Sequence, residues 1–201
     1  MRRILTTVLA ALALTTLAIP ALAATYQLDA AHSSVSFKVK HLAISNVKGA
    51  FNDFDVTFEF EPGQPESWRV EAVIQAASID TDNEDRDNHL RSEEFLFTAE
   101  YPEIRFASTG VEMTGENEAK LSGELTMHGV TKPVVLDLTI HGVADFMGTS
   151  KAGFEASTKI NRKDFGLTWH KALETGSLIV GDTVEIFLEI EGNQVKEEEG
   201  A

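Results

Sequence analysis

From Tyr26 onward the chain alternates apolar and polar residues with a period of two. Val35, Phe37 and Val39 are interleaved with Ser34, Ser36, Lys38 and Lys40, and Phe54, Val56, Phe58 and Phe60 with Asp55, Thr57 and Glu59. Trp68, Val70, Ala72 and Ile74 share one face, as do Ile104 and Phe106. Leu121, Gly123, Leu125 and Met127 oppose Lys120, Ser122, Glu124, Thr126 and His128. Val134, Leu136, Leu138 and Ile140 follow, then Phe154, Ala156 and Ile160, and last Val184, Ile186, Leu188 and Ile190. Strands of this kind are apolar on one face and wet on the other, which points to antiparallel structure rather than a parallel sheet covered on both sides. The connections are short and carry Gly, Pro or Asn, as in Glu61-Pro62-Gly63, Thr114-Gly115-Glu116-Asn117 and Met147-Gly148, so successive strands form a meander. An open meander leaves two exposed edges and a closed one leaves none. The predicted fold is therefore all-β, an antiparallel up-and-down barrel of about eight strands. A two-sheet sandwich is the alternative.

Two segments interrupt the meander. Asp80 to Pro102 contains Asp82-Asn83-Glu84-Asp85-Arg86-Asp87-Asn88-His89-Leu90. Asp82 suits an N-cap, and Glu84 and Asp85 suit the positive end of a helix, so a short helix is predicted here. Arg162 to Ser177 carries Asp164-Phe165-Gly166, Trp169 and His170. Both segments are longer than a hairpin needs, and both are expected over the mouth of the barrel.

The first residues have a different pattern. Met1-Arg2-Arg3 precedes an apolar stretch from Ile4 to Ile19, which ends at Pro20 and Ala21-Leu22-Ala23. A basic start, a short apolar run and small residues form a secretory signal peptide. The run falls short of the ~20 residues a membrane-spanning helix needs. The expected organisation is a signal peptide over 1–23 cleaved after Ala23, one domain over 24–192, and an acidic tail over 193–201. With no second run of spanning length, the product is expected to be exported and soluble, without stable membrane insertion.

Composition narrows the function. Among 201 residues, 17 Lys and Arg face 32 Asp and Glu, a net charge of −15. Phosphate neutralisation needs clustered cations, so nucleic acid is not an expected partner. Cysteine is absent, which removes disulfides, thiol catalysis and zinc–thiolate sites. The six His form neither an HxH pair nor HExxH, so no metal and no cofactor is predicted. No Ser sits in a G-x-S-x-G elbow and no Gly-rich phosphate loop is present. The cluster Asp80, Asp82, Asp85, Arg86, Asp87, His89 and Arg91 could supply paired catalytic carboxylates. Self-paired charges on a short helix are the simpler reading, with Arg86 and Arg91 fixing the excursion to the rim by pairing with carboxylates. What remains is the apolar inner face. Ala72, Gly123, Ala152 and Ala156 stand on the phase that otherwise carries Phe, Leu and Val. Small residues there serve tight packing and an open lumen equally well, and an eight-stranded barrel supports either.

The runs His32-Ser33-Ser34-Val35-Ser36-Phe37 and Gly49-Ala50-Phe51-Asn52-Asp53-Phe54 resemble the opening of the YceI-like family. So do Arg86-Asp87-Asn88-His89-Leu90-Arg91-Ser92-Glu93-Glu94-Phe95 with Tyr101-Pro102, Gly129-Val130-Thr131-Lys132-Pro133-Val134, Ile160-Asn161-Arg162-Lys163-Asp164-Phe165-Gly166-Leu167 and Val180-Gly181-Asp182. The similarity runs from about Thr25 to Glu191. It implies an exported bacterial protein with a lipocalin-like barrel and an elongated apolar tunnel for a long-chain amphiphile such as a polyisoprenoid or isoprenoid quinone. The expected function is a periplasmic carrier of such a lipid. A stress-related interaction protein with a filled barrel and, further off, a lipid-modifying enzyme are the alternatives. The family supplies no catalytic motif, so the site residues come from strand phase: Phe37, Val39, Phe58, Leu125, Phe154 and Trp169 for the apolar lining, with Arg91, Arg162 and Lys163 for a charged head group. Pairing with a second copy of the chain is left open as a partner.

Overall fold

The structure is a computed structural model that describes residues 23–170 and 179–196. The expected leader up to residue 22, the part of the second excursion beyond His170 and the end of the tail lie outside the described residues.

Eleven strands and one helix follow in order: β1 (Ala24–Leu28), β2 (Ser34–His41), β3 (Ser45–Phe51), β4 (Phe54–Phe60), β5 (Arg69–Gln75), β6 (Ile79–Asp80), α1 (Glu84–Arg91), β7 (Glu103–Met113), β8 (Glu118–Met127), β9 (Val130–Phe146), β10 (Thr149–Asn161) and β11 (Val180–Gln194). All pairings are antiparallel. β11 takes β10 on one side, and on the other takes β1 near its end and β2 near its start. β1 and β2 are thus two halves of one bent strand. β3 with β4 and β5 with β6 behave likewise, since β1 pairs β4, β2 pairs β3, and β4 and β3 pair β5 and β6 in turn. Eleven segments make eight staves, and the meander closes. Closure decides for the barrel over the sandwich.

Three strands absent from the sequence reading complete the wall: β1, β3 and the two-residue β6. β1 is only Ala24–Leu28, and β3 reads Ser-Asn-Val-Lys-Gly-Ala-Phe, where Ser45 and Gly49 on the inward phase and Ala50 on the outward one dilute the alternation. The last strand also runs two residues beyond the expected boundary, to Gln194.

At one end, the floor, Tyr26 stacks on Phe58 with centroids 5.1 Å apart, and Phe60 lies 4.7 Å from Trp68 and 4.9 Å from Phe154. Offset and edge-on aromatic contacts of this kind add to simple area burial. At the other end, the mouth, the β2–β3 tip, α1, the β8–β9 turn and the start of the second excursion come together. Tyr101 packs on His128, whose ring lies beneath Gly166. The expected helix forms as α1, but its N-cap is Asn83, which accepts from the Arg86 amide at 2.9 Å. Asp82 sits one residue earlier with φ 59; a left-handed residue cannot supply the extended N-cap backbone. Among the described residues no helix is long and apolar enough to cross a membrane.

Candidate functional site

Inside the staves lies a cavity of about 450 Å³. Its wall runs from Trp68 and Phe60 at the floor to His89, Trp169 and Ile179 at the mouth. Along β11 the lining residues extend from Val180 to Ile190. At ~3.3 Å per residue and a tilt of ~40° this corresponds to a tunnel on the order of 25 Å long. The lining is almost wholly side-chain carbon, and water inside it would find few polar partners.

The sequence-predicted apolar set comes together as a wall: Phe37, Val39, Phe58, Leu125, Phe154 and Trp169 all border this space. Phe58 and Leu125 are buried in the fold, whereas Phe37, Val39 and Phe154 are half-buried because their inner faces meet the void. Strand phase also marks Val184, Ile186, Leu188 and Ile190 on β11, which line the wall between Phe37 and Val39 of β2 and Phe154 of β10.

The small inward residues prove to have different uses. Ala152 belongs to the packed floor, while Ala72 and Ala156 border the void. Gly123 is covered by Phe106: a Cβ there would stand 2.3 Å from the ring. Gly49 accommodates Phe37 in the same way, its Cβ position lying 2.5 Å from the ring tip. Glycine lets each ring lie back along the wall, so a large side chain occupies little of the lumen.

The three predicted cations separate. Arg162 borders the cavity and is 3% exposed. Its guanidinium donates to the Gly181 carbonyl at 2.9 Å, to the Leu167 carbonyl and to Asp182 at 3.3 Å. Burial pulls its pKa below the usual value, and Asp182 opposes that shift. Lys163 is exposed and holds the other oxygen of Asp182 at 2.8 Å, away from the lumen. Arg91 also stands outside the lining. It clamps α1 to the rim through the carbonyls of Ala77 at 2.8 Å and Ile79 at 2.7 Å. The rim anchorage expected of Arg91 and Arg86 is present, but their acceptors are carbonyls and a hydroxyl instead of carboxylates. Arg86 donates to the hydroxyl and carbonyl of Thr81, both at 2.7 Å, and the Thr81 amide donates to buried Asp87 at 3.0 Å. The carboxylate that suits Arg86 is thus engaged through Thr81.

Sequence reasoning missed the polar mouth. Lys40, His41, Arg86 and His89 border the cavity, and His89 packs edge-on against Phe95 and Trp169 at 4.9 and 5.5 Å. Lys40 and His41 follow directly on Val39, so the end of a strand aimed at the mouth was the available signal.

Asp29, His32 and Glu191 lie close enough to hold an ion. Lys151 already occupies their centre, 2.7 Å from Asp29 and 2.8 Å from Glu191. This charge cluster clasps the β1–β2 bend to β10 and β11. The ammonium draws the Asp29 pKa down to about 2, with help from His32.

Comparison with known proteins agrees with the architecture. Residues 26–192 match the model of the YceI-like domain. Protein YceI of Salmonella newport is 41% identical over 179 residues, covering 88% of this chain and 90% of that protein. The crystal structure of a Campylobacter jejuni YCEI protein aligns with a TM-score of 0.68 at 38% identity, over 84% of this chain and 97% of that one. A polyisoprenoid binding domain from Saccharophagus degradans, described as implicated in plant cell wall breakdown, has the same fold at 18% identity. Its TM-score is 0.64, over 86% of this chain and 99% of that one.

Proposed function

The chain belongs to the YceI-like family, and from that premise we propose that it binds and carries a long-chain isoprenoid-type lipid, a polyprenyl chain or an isoprenoid quinone, within the barrel. The observation that carries this reading is the tunnel itself: about 450 Å³ of space, lined by apolar side chains from floor to mouth. Burying a methylene is worth about 0.8 kcal/mol, so a chain of roughly twenty carbons offers roughly 16 kcal/mol gross. Ordering the chain and the partners reduces the net affinity well below that. The fold shared with a domain described as polyisoprenoid-binding supports the same chemistry. Binding without turnover is sufficient for such a site.

The chain enters tail first and fills the apolar shaft, and the head group remains at the mouth beside Arg86, Arg162 and His89. Arg86 is held by the Thr81 hydroxyl and carbonyl, Arg162 by the Gly181 and Leu167 carbonyls and Asp182, and His89 by the Glu94 carboxylate, which fixes their positions before cargo arrives. The basic start, short apolar run and small residues over 1–23 read as a leader, which supports export and work in the periplasm. Uptake of a fluorescent long-chain amphiphile, competed by a polyprenyl lipid, tests the proposal. Saturable binding with competition is expected, and a purified chain that takes up no such amphiphile contradicts it.

A further inference from the structure

The β2–β3 turn has an unusual composition. The Ile44 amide closes it on the His41 carbonyl at 3.2 Å. Both central residues are left-handed, Leu42 with φ 53 and Ala43 with φ 61. Turns of this shape favour Asn-Gly, since residues with a larger side chain are strained there. Here the sequence places Leu42, Ala43 and Ile44 at the tip: Ala43 is exposed, Ile44 is 84% exposed and Leu42 is half-buried. Exposed apolar side chains projecting from one tip mark contact surfaces.

The charges beside this tip run against the rest of the molecule. In a chain of net charge −15, the outer face of the hairpin carries Lys38, Lys40 and Lys48. Lys38 and Lys48 are direct cross-strand partners, a like-charge pairing that costs stability. Lys38 is held by Glu185 at 2.9 Å. Among the described residues, Lys40 and Lys48 have no carboxylate within salt-bridge distance. The same hairpin is also the lip of the tunnel, since Val39, Lys40, His41 and Val47 border the cavity.

We propose that this lip docks on an anionic bilayer surface: Leu42, Ala43 and Ile44 enter the headgroup layer, Lys40 and Lys48 meet lipid phosphates, and the tunnel mouth faces the membrane. The inference rests on the carrier reading for its purpose only, because a mouth seated on the bilayer spares the cargo a passage through water. Each lysine near an anionic surface contributes enough for a several-fold gain in partitioning. This local attraction acts within a Debye length, ~10 Å, where the acidic far side of the barrel is screened.

A second copy is the competing occupant. Beyond Ala50 and Phe51, which pair with β6, the outer edge of β3 has no partner strand among the described residues, and an open edge can accept another strand. The Lys48 charge and the apolar tip favour the membrane over a like-charged copy.

The test is flotation of the full chain with vesicles of phosphatidylcholine doped with phosphatidylglycerol, against vesicles of phosphatidylcholine alone. Wild type, Ile44→Ser and Lys48→Glu are compared, with uptake of cis-parinaric acid measured separately in vesicle-free buffer. Neither substituted side chain lines the tunnel. Preferential binding to the phosphatidylglycerol vesicles, weakened roughly 10-fold by each substitution while probe uptake is unchanged, supports docking. Equal flotation of all three proteins, no preference for the anionic lipid, or self-association through β3 in place of flotation overturns it. A chain that takes up no probe but docks through Ile44 and Lys48 supports the docking inference and contradicts the carrier reading.

Discussion

β4 and β11 follow the same alternating rule and meet different surroundings. In β4 the inward Val56, Phe58 and Phe60 are fully buried, because Tyr26, Trp68 and Phe154 close over them at the floor. In β11 the inward Val184, Ile186, Leu188 and Ile190 are only half-buried, although they point to the same axis. Their exposure is to the lumen. Stability is concentrated where aromatic rings meet one another, and capacity where they lie flat against the wall. A barrel can then keep an unfilled shaft, whose lining forgoes dispersion contacts, because its lower end is densely packed.

The comparison can be broken most forcefully at the floor. Trp68 is buried and donates its indole N–H to the Glu61 carbonyl at 2.7 Å. Trp68→Ala is expected to cost roughly 3–5 kcal/mol in chemical denaturation, the usual range for a buried aromatic. Within the shaft, Phe37→Asp places a carboxylate against apolar lining. It is expected to reduce long-chain amphiphile uptake by ~100-fold while leaving a folded barrel, as read by probe titration and circular dichroism. If uptake by this variant equals that of the wild type, Phe37 is not part of the cargo wall.

The glycine positions sharpen the same contrast. Gly123→Ala drives a methyl group into the Phe106 ring, which must swing into the lumen. The expectation is a loss of about 1–3 kcal/mol from overpacking, together with a shift of chain preference toward shorter amphiphiles, measured by competition with a chain-length series. At the mouth, Trp169 is half-buried and packs on Phe95 with centroids 5.0 Å apart. Trp169→Ala should leave stability within about 1 kcal/mol and speed release of a bound probe, followed by stopped-flow transfer to acceptor vesicles.

The smallest effect concerns the clasp. Asp29 has a pKa of about 2, below its unfolded value of 3.8. A depressed carboxyl stabilises the fold above the unfolded value and loses that contribution as pH falls through the folded one. The clasp should therefore hold at neutral pH and weaken between about pH 4 and 2. Lys151 is shifted upward by Asp29 and Glu191. Its contribution is complete below its unfolded pKa and is lost only in stronger alkali. Lys151→Met should narrow the difference between melting curves recorded at pH 5 and pH 3.

Much of the wall was legible in the sequence, because strand phase depends only on local alternation. It placed Phe37, Val39, Phe58, Leu125 and Phe154 on the lumen side, and the fold does the same. Gly123 shows why hollowness was not legible. A small inward residue signals space, but that space is taken by Phe106 from the neighbouring strand, which depends on a register no local pattern encodes. Lys163 and Arg162 are adjacent in sequence and both reach Asp182, yet a single turn leaves one in solvent and buries the other in the wall. The mouth was hardest to read, since Arg86 and His89 reach it only through the way α1 docks on the rim.

The central claim is an occupied shaft in the working protein. Native mass spectrometry of the chain purified from its own source, without detergent, reads that occupancy directly. The expected result is a protein peak accompanied by a second, heavier by the mass of a long-chain amphiphile, with Phe37→Asp depleted in the heavier species. Protein that is uniformly empty as isolated, and that still takes up no long-chain lipid when one is supplied, would contradict the account.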